Sequence, residues 1–217
     1  MRKNMYWLLL TTVFMLSIAM TSVSTASPAP VIRVEPKANT AEVGETFDVN
    51  ITVTGITEQE SLYGWECRIT FNPGIINAVN ATEGTFLKDT GYETTWLTPK
   101  IDNTTGTIDI GALITPSIEW QGFPPTGAVG SGTLATVTFK AVGQGATDLD
   151  FKEQKDTELH TIKGESPNQY DYPIDHTAED GSFSNAGPPI PLDLVAGIVV
   201  VVAVCTVAVF YFRRKRA

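Results

Sequence analysis

Five stretches of this chain alternate apolar and polar residues with a period of two, and no other feature restricts the fold as strongly. In TFDVNITV, Phe47, Val49, Ile51 and Val53 share one side, with Asp48, Asn50 and Thr52 on the other. In LYGWECRITF, Tyr63, Trp65, Cys67, Ile69 and Phe71 oppose Leu62, Gly64, Glu66, Arg68 and Thr70. GTIDIGA sets Ile108, Ile110 and Ala112 against Thr107 and Asp109. TLATVTFKA sets Ala135, Val137, Phe139 and Ala141 against Thr136, Thr138 and Lys140, and ATDLDF sets Leu149 and Phe151 against Asp148 and Asp150. A strand turns successive side chains to opposite faces, so each stretch reads as a strand with one packed and one wet face. Such sheets bury their apolar sides against one another. Ile32 and Val34 indicate a first strand and Phe183 a last one. Gly, Pro, Asn and Asp punctuate the chain between strands, and no amphipathic helical pattern of useful length intervenes. The expected fold class is all-β: an antiparallel β-sandwich of jelly-roll type over residues 31–185.

The two ends carry a different signal. Arg2 and Lys3 precede an apolar run, and the small residues Ser24, Thr25 and Ala26 stand before Ser27. Charge, apolar stretch and small-residue site in that order predict a cleaved secretory signal over 1–26. Near the other end LVAGIVVVVAVCTVAVFYF, residues 194–212, contains no charge. About 20 apolar residues span a bilayer core as a helix. Arg213, Arg214, Lys215 and Arg216 follow it, so residues 213–217 read as a cytoplasmic tail by the positive-inside rule. Residues 27–30 then form a tether and the Pro-rich residues 186–193 a stiff stalk. The expected localisation is the cell membrane, single-pass, with the sandwich outside.

Charge divides in the same way. The terminal segments hold six of the 15 cations, and Asp193 is one of the 24 acids; the 9 cations and 23 acids between them leave a net −14, against −9 for the whole chain. An acidic ectodomain repels nucleic acid and anionic lipid and favours a basic partner. Of the two cysteines, Cys205 lies in the membrane run and Cys67 lies outside, so no intrachain disulfide is expected and apolar burial must hold the domain. Three sequons fall outside: Asn50-Ile51-Thr52, Asn80-Ala81-Thr82 and Asn103-Thr104-Thr105, each a candidate N-glycosylation site.

Four segments in order resemble the cohesin domain, the β-sandwich module that holds dockerin-bearing proteins. They are VGETFDVNITV, LYGWECRITFNPGIINAV, GSGTLATVTFKAVGQGATDLDF and DGSFS. Two departures stand out: Phe71-Asn72-Pro73 replaces the family's usual Tyr-Asp-Pro, and residues 153–180 are long and polar. The resemblance implies a partner face on the outside of one sheet, carried here by Glu66, Arg68, Thr70, Asp109, Asp148 and Asp150. It also implies a surface-displayed module that recruits a dockerin-type extracellular protein, with a link to polysaccharide degradation.

Catalysis finds no support. His160 and His176 stand in no metal-binding pattern and read as solvated loop residues, and Gly143 to Gly145 reads as a turn. Asp148 and Asp150 read as a solvated face rather than a glycosidase pair. The acids from Asp171 to Asp180 offer oxygen ligands without EF-hand spacing, so no metal and no cofactor is expected. The alternative readings are a carbohydrate-binding module, with Trp96, Trp120 and Phe123 as candidate sugar-stacking residues, and a structural or adhesion protein of the cell envelope.

Overall fold

The computed structural model describes residues 28–119, 121–151, 157–164 and 168–185. The expected signal segment 1–26, the stalk 186–193, the membrane helix 194–212, the tail 213–217, Ser27 of the tether and the candidate Trp120 lie outside the described residues. Among the described residues no helix is long and apolar enough to cross a membrane.

The described chain folds into strands β1 (Val31–Glu35), β2 (Ala38–Asn39), β3 (Thr46–Ile56), β4 (Gly64–Thr70), β5 (Ile76–Glu83), β6 (Thr94–Trp96) and β7 (Lys100–Asp102). They continue as β8 (Thr107–Ile114), β9 (Gly130–Ala141), β10 (Ala146–Leu149), β11 (Thr157–Lys163), β12 (Tyr170–Pro173), β13 (Thr177–Glu179) and β14 (Gly181–Ser184). One sheet runs β13-β1-β3-β9-β5, and a second runs β12-β11-β4-β8-β6 with β7 also paired to β8. A small third sheet, β10-β14-β2, closes one end and is tied to β4 by the Thr70–Asp150 bridge.

The alternation places the core. Val49, Ile51 and Val53 from β3, Trp65, Cys67 and Ile69 from β4, Ile108, Ile110 and Ala112 from β8, and Ala135, Val137, Phe139 and Ala141 from β9 are all buried. Phe139 makes the densest contact: its ring lies 5.7 Å from Phe47 and 5.4 Å edge-on from Phe71, and Phe47 stacks on Phe183 of β14 at 4.8 Å. Those four rings join all three sheets. Cys67 is buried, and desolvation pushes its thiol well above the ordinary range, so it packs as a small apolar side chain and not as a nucleophile.

The structure differs from expectation in four places. The sandwich is not wholly antiparallel: β1 pairs with β13, and β14 with β2, in parallel. Parallel neighbours need a long connection, and the last segment returns from the far sheet to supply it. Leu62 is fully buried although it falls on the polar side of its stretch. It lies before β4 and exchanges backbone hydrogen bonds of 2.8 Å with Ala128, so the alternation starts only at Gly64. The polar stretch 153–180 holds three strands, β11 to β13. Two of the inward positions of β11 are Thr157 and Thr161, so no apolar period marks it. His176 is buried rather than solvated: Nδ1 donates to the Ile174 carbonyl at 2.8 Å, and Nε2 lies 2.8 Å from the Thr157 hydroxyl.

Truncating Phe139 to alanine removes the ring that joins Phe47 to Phe71 across the two large sheets, and the expected loss is about 3–5 kcal/mol. Equilibrium urea unfolding of residues 28–185 measures it.

Candidate partner-binding face

The outer face of the β12-β11-β4-β8-β6 sheet is assembled row by row from its register. Glu66 of β4 stands between Glu158 of β11 and Gly111 of β8; Arg68 stands opposite Asp109; Gly64 stands between His160 and Leu113. Their inward neighbours fill the core, so these side chains point to solvent. Of the residues expected on this face, Glu66, Arg68, Thr70 and Asp109 lie on β4 and β8. Asp148 and Asp150 are displaced to the end of the face, because β10 pairs with β14 and reaches β4 only where Thr70 and Asp150 exchange backbone bonds of 2.9 and 3.1 Å.

Arg68 and Asp109 form a two-pronged ion pair, Nε to Oδ1 at 2.6 Å and a second nitrogen to Oδ2 at 2.9 Å. The Arg68 guanidinium holds the Asp109 carboxyl below the usual carboxylate range, against the opposing effect of partial burial; Lys100 adds to the lowering. Planar fork-to-carboxylate pairing of this kind orients both side chains. His160 lies between two carboxylates, Nδ1 3.0 Å from Asp171 and Nε2 3.1 Å from Glu158.

Beside these charges lies an apolar trough. Leu97, Leu113, Phe123 and Ile162 line a depression of about 230 Å³, rimmed by Glu66, His160 and Asp171. A second hollow of about 380 Å³ lies between Arg68, Lys100 and Thr98 and shares Leu97 and Glu66 with the first. Gly111 is required here by close approach: a Cβ there would stand 2.8 Å from the Trp65 carbonyl and 3.2 Å from Leu97 Cδ1. With glycine at outward positions of two adjacent strands, Gly64 and Gly111, the sheet surface drops and Leu97 folds down across it. Leu97 is nonetheless 42 % exposed.

Sequence reading missed Leu97, Leu113, Glu158 and Ile162, took Asp171 only as one of a run of acids, and read His160 as a solvated loop residue, whereas it lies on β11 with its ring against Glu158 and Asp171. In TELHTIK, Glu158, His160 and Ile162 share one parity, but the opposite parity is Thr157, Leu159 and Thr161, so the alternation is not one of apolar against polar. Nothing comparable marks Leu97, which lies between short strands. The candidate stacking residues are placed differently from an open platform. Trp96 pairs with Ala112 on the inward side and tilts against Trp65 at 6.1 Å. Phe123 meets Tyr63 edge-on at 5.8 Å, pinned by Gln169 through bonds of 2.8 and 3.1 Å to its backbone. Among the described residues no group of three or more His, Cys, Asp or Glu side chains is placed to hold a metal.

The Asp109 pairing sets a pH dependence. A carboxyl lowered in the folded state contributes stability above its unfolded value, about 3.9, and loses it as pH falls through the folded value. Because the Arg68 and Asp109 side chains are 50% and 35% exposed, the contribution of the pair is discounted for solvent screening to roughly 0.2–1 kcal/mol. Asp109→Asn is expected to cost that amount at neutral pH and to equal the parent protein in very acidic solution, read by urea unfolding at both pH values.

Comparison with known proteins agrees with the fold. The Cohesin domain profile matches residues 32–164, more than half of the chain. Curated protein sequences include no significant relative. Among solved structures, the second type II cohesin module of the adaptor ScaA scaffoldin of Acetivibrio cellulolyticus superposes with a TM-score of 0.54 at 20% identity, covering 76% of this chain and 93% of that one. The seventh ScaB type I cohesin of Pseudobacteroides cellulosolvens gives 0.53 at 17% identity, with 75% and 96% covered. A type II cohesin–X-dockerin complex from Acetivibrio cellulolyticus gives 0.52 at 17%, with 70% and 97% covered. With this profile match over more than half of its length, the chain belongs to the cohesin domain family, whose members are non-catalytic protein-binding modules.

Proposed function

We propose that this protein displays one cohesin domain on the outer cell surface and recruits a dockerin-type extracellular protein. The observation that carries the reading is the glycine-floored apolar trough on the outer face of the β12-β11-β4-β8-β6 sheet, flanked by Arg68, Asp109 and Glu66. A flat, solvated sheet face has no need of a recessed apolar centre, whereas a docking face does: central apolar anchors supply most binding energy and a polar rim excludes water. The acidic net charge of the ectodomain supports a partner with basic residues around its apolar contact. By the resemblance noted in the sequence, the proposed partner would be a dockerin-type or other extracellular protein linked to polysaccharide degradation. The apolar run 194–212 would anchor the domain, leaving 213–217 inside.

The partner is identified by capture from the extracellular fraction on residues 28–185, and its affinity is then measured by calorimetry. Leu97→Asp places a charge in the trough without touching the core, and is expected to weaken binding at least tenfold. Arg68→Glu, which sets a third carboxylate beside Glu66 and Asp109, is expected to weaken it less and mainly at low salt. Unchanged affinity in both variants, with circular dichroism intact, would place the docking surface elsewhere. Release of the captured protein by soluble polysaccharide would instead favour sugar binding.

A further inference from the structure

The three sequons are not equivalent once folded, and we infer that Asn80 alone is an N-glycosylation acceptor, taking a sugar from an activated glycosyl pyrophosphate donor. The inference rests on export of the domain and is independent of what docks on the opposite sheet.

Asn103 is committed to the fold. Its Nδ2 donates to the Ala78 carbonyl at 2.9 Å while its Oδ1 accepts from the Ala78 amide at 2.9 Å. That bidentate pairing uses the Nδ2 hydrogen on the same side as Oδ1. In an N-glycosidic amide the anomeric carbon occupies this same position, because the secondary amide prefers the trans arrangement. Glycosylated Asn103 would therefore lose its bond to Ala78 and place a sugar ring against β5. Asn50 lies on a central strand, between Glu35 of β1 and Thr136 of β9, is half-buried, and accepts a 2.8 Å hydrogen bond from the Thr136 hydroxyl. Neighbouring strands crowd it on both sides.

Asn80 carries neither constraint. It lies on β5, the edge strand of its sheet, immediately after a register shift that leaves Val79 as an extra, 54 % exposed residue. A bulge bends a strand outward and interrupts its ladder. Asn80 and Thr82 are both exposed and point to the same side, opposite Thr138 and Thr136. Among the described residues the Asn80 side chain has no hydrogen-bond partner. Acceptor amide and hydroxyl two residues on are thus presented together, as the sequon chemistry requires. In the transfer, Nδ2 forms a bond to the anomeric carbon, the carbon–oxygen bond to the donor phosphate breaks with its electron pair leaving on phosphate, and one Nδ2 proton passes to solvent. The glycan would stand on the outer face of the β13-β1-β3-β9-β5 sheet, away from the trough.

The test is peptide mass spectrometry of the full-length protein, labelled at the cell surface of a host that carries an N-oligosaccharyltransferase. A glycan mass is expected on the Asn80 peptide, with the Asn50 and Asn103 peptides bare. Asn80→Gln and Thr82→Val should each abolish it and Thr82→Ser retain it. A glycan on Asn50 or Asn103, modification that survives Thr82→Val, or a surface-labelled chain bare at all three sites would overturn the assignment.

Discussion

The packing of Phe139 against Phe47, Phe71 and, through Phe47, Phe183 is the contact on which the remaining architecture depends. These rings come from β9, β3, the end of β4 and β14, so one aromatic cluster fixes the separation of the two large sheets and the seat of the small one. Without a disulfide to constrain the unfolded chain, the domain relies on burial at about 25 cal/mol per Å² of apolar surface. Large rings deliver that burial at few positions and with few rotatable bonds. Every inward residue of β4 and β8 is positioned by this spacing. The outward residues follow from it, because an outward side chain is the alternate of a packed one.

The two faces exposed by that packing carry different chemistry. The β13-β1-β3-β9-β5 sheet presents Asp48, Asn50, Thr136 and Thr138, joined by side-chain hydrogen bonds of 2.6 Å from Thr138 to Asp48 and 2.8 Å from Thr136 to Asn50. Satisfied polar pairs make a flat surface that water wets readily and that offers a partner little. The opposite sheet combines a recessed apolar centre with Arg68–Asp109 and the Glu158–His160–Asp171 cluster at its margins. The proposed glycan on the first face would leave the second open.

How much of this was legible in the sequence depends on where the hydrophobic period survives. β3, β4, β8 and β9 declare themselves because Val49, Ile51, Cys67, Ile69, Ile108, Ile110, Val137 and Phe139 recur at every second position. From that pattern alone Arg68 and Asp109 fall on the wet side, and their pairing needs only the register. β11 was not legible, because a threonine buries as well as a valine once its hydroxyl finds a partner, and that partner, His176 for Thr157, lies on another segment. The trough was not legible either. It arises where two glycines on neighbouring strands, Gly64 opposite Leu113 and Gly111 opposite Glu66, lie diagonally across the register and a leucine from a connecting segment approaches them, a coincidence of register rather than of local pattern. Asp148 and Asp150 show the converse case: their alternation was read correctly, but local period cannot reveal that β10 pairs with β14.

Charge and apolar contact on the proposed docking face would divide the work unequally. Arg68 already has both prongs on Asp109, so a partner carboxylate would have to displace a satisfied bond, and a partner cation would meet a carboxylate whose charge is largely answered. Exchanging one charge-assisted pair for another in a desolvated interface roughly cancels. Covering an exposed leucine is not offset in this way: burying such a side chain is worth about 1.5–3 kcal/mol, and Leu97, Leu113 and Ile162 can be covered together. On the proposed docking, affinity would therefore come chiefly from the trough, where a shape-matched apolar ridge would find its floor already lowered by glycine. The charges at its margin act earlier and at longer range. The net −14 of residues 27–192 would act on a basic partner across about a Debye length, some 8–10 Å, and on the proposed docking the Arg68–Asp109 fork would disfavour charges that arrive out of register.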